Sequence, residues 1–123
     1  MLYRLMDVFA CPICKSFPLS LITFKIEYVR TGSPVARCEY YCGYKKGMID
    51  DASVYECDSC TATDVSEGIL LCHACRRWYK ITDSLPILLP DHLRDKDSDV
   101  NFLLKHRSEI DNDILEAWFP FHL

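Results

Sequence analysis

No apolar run in this sequence approaches the roughly 20 residues that a bilayer-spanning helix needs, so no membrane association is expected. The opening, Met1-Leu2-Tyr3-Arg4-Leu5-Met6-Asp7, lacks a basic segment followed by an apolar stretch and a small-residue cleavage site. No secretory signal is therefore expected, and the chain reads as cytoplasmic, where thiols stay reduced. There is no Gly-rich phosphate loop, and the Ser and Asp residues fall in turn-like stretches, so no enzyme is expected. Positive charge is also not in excess: Lys plus Arg number 14 against 18 Asp plus Glu, a formal −4. A chain of that sign repels RNA and anionic lipid on average. That argues against a free-standing nucleic-acid binder, but not against a subunit whose partner supplies the basic surface. Low-complexity tracts are missing.

What the sequence does have is cysteine, eight residues in a chain of 123. The apolar share is 50%, which makes the chain globular, yet its apolar residues come in short runs between cysteines. A chain of this size and pattern needs crosslinks or metal to fix its loops. In a reducing compartment close cysteine pairs point to metal more than to disulfides. Two sites of four thiolates each are expected, and two zinc ions so bound would take the net charge to about −8.

The pairs are Cys11-Pro12-Ile13-Cys14, Cys38-Glu39-Tyr40-Tyr41-Cys42, Cys57-Asp58-Ser59-Cys60 and Cys72-His73-Ala74-Cys75. A Cys-x-x-Cys turn lets two sulfurs reach one tetrahedral ion, with backbone N–H groups of the turn pointing at the thiolates. Two such turns complete a closed shell, which is structural and leaves no position for substrate. Sequential, interleaved and nested pairings are all compatible with this spacing. The 38/42 turn is looser by one residue, which allows one of its thiols to be a plain buried cysteine. His73 lies between two ligand cysteines and is read as a bystander. His92, His106 and His122 have no ligand spacing to one another.

Along the chain, residues 4–9 read as one or two helical turns with Leu5, Val8 and Phe9 on the apolar side. From Leu19 onward a strand is expected, in which Ile22, Phe24, Ile26 and Tyr28 alternate with Thr23, Lys25 and Glu27. Thr31-Gly32-Ser33-Pro34 reads as a turn. Residues 35–67 break into short polar-aromatic pieces around the middle four cysteines, with little core of their own. Gly68-Ile69-Leu70-Leu71 is a strand entering the last cysteine pair, and Trp78-Tyr79-Lys80-Ile81 is a strand leaving it. This arrangement suggests a zinc ribbon. Asp83-Ser84 makes a turn, and Pro86 and Pro90 then bracket Ile87, Leu88 and Leu89 in an extended segment. Those three either cap the small core or face a partner; a thin ribbon covers only one of their faces, which favours the partner. Beyond Pro90, Asp97 or Ser98 is read as the cap of a helix carrying Val100, Leu103 and Leu104. Asp111 or Asn112 is read as the cap of a second, with Ile110, Ile114 and Trp118 on one face and Pro120 at its end. Helices this short do not stand alone, so they are expected to pack onto the ribbon or onto a partner.

Two segments carry a family resemblance. Leu5-Met6-Asp7-Val8-Phe9-Ala10-Cys11-Pro12-Ile13-Cys14-Lys15 resembles the opening of the small zinc-binding methyltransferase activator subunits of archaea and eukaryotes, which have short bacterial relatives. Cys72-x-x-Cys75 followed by Trp78-Tyr79-Lys80-Ile81-x-Asp83-Ser84-Leu85-Pro86-x-Leu88-Leu89-Pro90 resembles their closing stretch, with Lys80 where proline is usual and Ser84-Leu85 for Gly-Ile. Short members place the end pairs close together, so the resemblance implies nested pairing. One zinc would then sit at Cys11, Cys14, Cys72 and Cys75, and a second at Cys38, Cys42, Cys57 and Cys60. Together with the residue pattern this gives a small zinc-dominated α+β fold: a zinc ribbon over 1–30 and 67–93, an inserted second four-cysteine zinc knuckle region over 31–66, and a C-terminal helical extension over 94–123. Eukaryotic members also carry an insertion, but not this four-cysteine one. The resemblance also implies a non-catalytic subunit that binds, stabilises and activates an S-adenosylmethionine-dependent methyltransferase as a heterodimer. The targets of such enzymes are tRNA, rRNA or a translation release factor, met only through the partner. The interface carried over by the resemblance is Tyr79, Ile81, Pro86, Ile87, Leu88 and Leu89, with Leu5 and Val8 beside it.

Three other readings compete. The stretch Arg76-Arg77-Trp78-Tyr79-Lys80 fits a zinc-ribbon nucleic-acid-binding module. Cys-Pro-Ile-Cys is similar to the iron-holding turns of rubredoxins, which usually continue with glycine where Lys15 and Arg76 stand here. A RING-like adaptor is opposed by the 14 residues between Cys42 and Cys57.

Overall fold

The structure, a computed structural model, describes residues 1–29 and 37–123. The turn expected at residues 31–34 lies outside them. The chain is a small α+β protein built on a four-stranded antiparallel sheet with order β1-β4-β5-β6. Its strands are β1 (Ser20–Tyr28), β4 (Thr63–Cys72), β5 (Arg77–Thr82) and β6 (Leu85–Pro86). A separate two-stranded hairpin consists of β2 (Tyr41–Cys42) and β3 (Gly47–Met48). The helices are α1 (Cys57–Thr61), α2 (Lys96–Lys105) and α3 (Asn112–Ala117), with 3-10 turns at Tyr3–Asp7 and Asp91–Leu93.

β4 is the centre of the sheet and is buried on both faces, which is why Ile69-Leu70-Leu71 is continuous and not alternating. Leu70 and Cys72 point to one face, where they join Leu21, Tyr79, Ile81, Tyr3, Met6 and Cys11. Ile69 and Leu71 point to the other, with Trp78, the helix residues Phe102, Leu103, Ile114 and Leu115, and Trp118 just after α3. The sheet is covered on both faces, in line with the expectation that the C-terminal helices pack onto the ribbon or onto a partner. The C-terminal helices form a second layer, tied down by Asp99. This buried carboxylate accepts from Arg94 at 2.7 Å and pairs with Lys80 at 3.1 Å, while the Arg94 guanidinium lies over the Trp78 ring at 4.5 Å.

Several local readings shift. The N-terminal turn is 3-10 and has a period of three, so Tyr3 and Met6 are buried and Val8 is 70% exposed. β1 has a register irregularity at Thr23–Ile26; Ile22 and Phe24 pack against the helices, whereas Ile26 and Tyr28 are exposed. β4 starts at Thr63, and its first residues pair with Tyr28 and Glu27, so the strand extends back before residue 67. α2 is capped by Asp95, whose side chain accepts from the Asp97 N–H, and not by Asp97 or Ser98. α3 starts after Asp111 as expected. Asp83 and Ser84 form a two-residue hairpin turn with φ of 51° and 63°, the left-handed pair that matches the twist of β5 and β6.

Candidate metal centre

The first cysteine pair sits in a tight turn directly after the N-terminal 3-10 helix. Lys15 N–H donates to the Cys11 carbonyl at 2.9 Å, and Lys15 takes a left-handed φ of 64°. The fourth pair closes the β4–β5 hairpin, where Cys72 pairs with Arg77 and Arg76 has a φ of 54°. These two turns face each other. The four sulfurs of Cys11, Cys14, Cys72 and Cys75 lie within 4.8 Å of one another. Cys11 to Cys75 is 3.6 Å, Cys14 to Cys72 is 3.4 Å and Cys72 to Cys75 is 3.5 Å. Four sulfurs about 2.3 Å from a central zinc define a tetrahedron with edges of about 3.8 Å. The donor set and its spacing fit a closed zinc site that staples the first turn to the central hairpin.

The thiols differ in how readily they ionise. The Ser16 hydroxyl and backbone N–H lower Cys14 to about 6. Burial pushes Cys11 upward, but the Cys14 and Ile13 N–H groups and the Tyr79 hydroxyl outweigh it and leave its thiol below the ordinary value. Burial drives Cys72 up to about 12 and raises Cys75 as well. Four thiols this close become thiolates together only around a cation.

Tyr79 is part of this centre. Its ring is fully buried and its hydroxyl lies 3.3 Å from the Cys11 sulfur. Burial, together with that contact, raises the phenol's pKa, so it stays protonated and donates to the thiolate. The family resemblance placed Tyr79 and Ile81 at a partner surface; both have no exposed area in the chain itself. Leu5 and Leu88 are partly buried against the same core. Pro86 and Ile87 are half-buried, and Leu89 and Val8 are exposed. Leu85, which the sequence reading passed over, is 63% exposed at the sheet edge. Its signal was the two-residue turn, which fixes the register of β6.

The other four cysteines, Cys38, Cys42, Cys57 and Cys60, line one cavity of about 470 Å³ together with Arg37, Tyr44 and Lys45. Among the described residues, only the first group has all its sulfurs within 4.8 Å. His73 is exposed and meets the Trp118 ring edge-on, apart from the sulfur cluster. His106 is buried, stacked on Phe24 and bonded to Glu109, a core residue where sequence reading saw an ordinary polar one.

The basic-aromatic stretch offers little to a nucleic acid. Trp78 and Tyr79 are buried, Arg77 holds Asp91 at 2.8 Å, and Lys80 holds Asp99. Neither ring is free to stack on a base.

Compared with known proteins, the chain matches the family model described as Trm112p-like protein over residues 3–84. The match includes both halves of the four-sulfur cluster and ends before Leu85, so the extended segment and α2 and α3 lie outside it. No curated protein and no solved structure matches the chain.

Proposed function

Since this chain belongs to the Trm112p-like family, known as methyltransferase partners, we propose that it is the non-catalytic zinc subunit of an S-adenosylmethionine-dependent methyltransferase. In this reading it binds, stabilises and activates a catalytic partner in the cytoplasm, and the holoenzyme acts on tRNA, rRNA or a translation release factor. Zinc at Cys11, Cys14, Cys72 and Cys75 supplies a crosslink and no reaction step. The chain's own residues do the rest. Tyr79 orients the Cys11 thiolate, and the Asp83-Ser84 turn sets β6 as the outer strand of the sheet.

The observation that carries the reading, beyond the family match, is that edge. Among the described residues β6 pairs with β5 alone, which leaves its outer side open to a partner. Leu85 and Leu89 are exposed along it, and Leu88 and Leu5 lie half-buried against one core beside it. An apolar margin next to an open strand edge is what a permanent partner covers.

Affinity capture of the tagged chain from its native cells, read by quantitative mass spectrometry, tests the proposal. A methyltransferase should be recovered at about one copy per chain. Recovery of none would remove the functional reading and leave the metal centre standing.

A further inference from the structure

The middle four cysteines carry a second set of observations, independent of the methyltransferase reading. The β2–β3 hairpin repeats the geometry of the two turns that form the first cluster. Lys46 N–H donates to the Cys42 carbonyl at 2.8 Å, as Lys15 does to Cys11 at 2.9 Å. Lys46 has a φ of 60°, matching the left-handed Lys15 and Arg76, each four residues after a cysteine. Cys42 pairs with Gly47 just as Cys72 pairs with Arg77, five residues on in both cases. The backbone N–H of Lys45 donates to the Cys42 sulfur at 3.3 Å, the contact that readies a thiolate for metal. A hairpin needs no cysteine at that position to hold its shape.

One element differs. Lys45 stands where Cys14 and Cys75 stand in the other two turns, so this turn presents one sulfur instead of two. Cys38, four residues before Cys42, supplies another to the same cavity, and α1 presents Cys57 and Cys60 from one face of a single turn. Arg37 and Lys45 line that cavity too, and both approach the ring of Tyr55. Two cations suit a site that four thiolates and one divalent ion would leave at about −2. All-sulfur donors select a soft tetrahedral ion, zinc or iron, and the colour of the purified protein separates the two.

We propose that Cys38, Cys42, Cys57 and Cys60 bind a second zinc ion through a divergent knuckle, in which Cys38 replaces the ligand lost at position 45. Coordination at about 2.3 Å per sulfur draws α1 onto the β2–β3 hairpin. That hairpin is already docked on the N-terminal 3-10 helix. The Asp7 carboxylate accepts from the Glu39, Tyr40 and Tyr41 N–H groups at 2.9, 2.7 and 2.7 Å. A Cβ at Gly43 would stand 2.6 Å from the Tyr3 carbonyl, so only glycine permits this approach. The second ion therefore stiffens the support beneath Leu5 and Val8.

Metal analysis of the purified full chain tests this. Two zinc ions per chain are expected from colourless protein, falling to one in the Cys42→Ser/Cys60→Ser double variant. One ion in the unaltered chain, a count unchanged by the double substitution, or a disulfide among these four sulfurs would overturn the proposal. Should the variant fail to fold, cobalt(II) titration of the unaltered, metal-stripped chain decides. Tetrahedral-thiolate absorption should grow to two equivalents, and saturation at one would refute the second site. Neither result bears on capture of a methyltransferase.

Discussion

The Tyr79 hydroxyl lies 3.3 Å from the Cys11 sulfur, which makes a core residue of β5 the link between the sheet and the N-terminal turn. A hydrogen bond to a charged group is worth about 1.5–3 kcal/mol. Tyr79→Phe keeps the buried ring and deletes only this donor. Zinc transfer to a competing chelator should become roughly tenfold or more easier in this variant, with the fold retained. Transfer at the unaltered rate would show that Tyr79 merely fills space.

The partner edge separates from the metal centre in a second substitution pair. Leu89→Asp places a charge on an exposed position and should abolish co-elution with the methyltransferase while zinc content and thermal stability stay as they were. Leu88→Asp should break the complex and also lower the melting temperature, because Leu88 packs on the chain's own core. Size-exclusion chromatography of the reconstituted pair, with metal analysis of each fraction, reads both outcomes. A complex that tolerates both changes would move the interface elsewhere.

The C-terminal layer is part of the fold and not a loose tail. Leu103 is fully buried against the far face of the sheet, and Leu103→Ala should cost about 2–5 kcal/mol in chemical denaturation. The sulfur cluster sits on the opposite face, so zinc content should be unaffected. A loss below 1 kcal/mol, or loss of zinc, would contradict the two-layer arrangement.

Asp7 makes the contact between the N-terminal helix and residues 39–41 sensitive to acid. Burial pushes its carboxyl upward, but the three backbone N–H groups outweigh this and hold it below the ordinary carboxylate value. The stabilisation is therefore full above about pH 4, the unfolded value, and is lost as pH falls through the lower folded value. Asp7→Ala should speed hydrogen exchange of the amides at residues 39–41 at neutral pH while the Cys11 turn stays protected. Equal exchange in both proteins would show that the clamp carries no weight.

Much of this was legible in the chain itself. The alternation of Ile22 and Phe24, the run Ile69-Leu70-Leu71 and the Asp83-Ser84 turn are local signals, and each marks a strand or hairpin that the structure contains. The four cysteines that come together were found by spacing, but their nested pairing came from resemblance, since spacing alone allows three arrangements. Other features depend on distance in the chain. Nothing near Tyr79 in sequence says that its ring turns inward to Cys11, 68 residues away. The exposure of Val8 follows from a 3-10 period that apolar spacing reads as α-helical. Both C-terminal helices were legible, but α2 and α3 are each too short to show whether they cover the ribbon or a partner, or which face of the sheet they take. Asp95 was missed as a cap because Asp97 and Ser98 lie nearer the first apolar residue, Val100.

Methyl transfer from labelled S-adenosylmethionine, measured with the captured partner alone, with this chain alone and with both, tests the central claim most directly. The account predicts transfer to the RNA or release-factor substrate only when both are present, no cofactor binding by this chain, and tighter cofactor binding by the partner in the complex. Transfer by this chain alone, or a partner whose activity and cofactor affinity do not change when the chain is added, would contradict it.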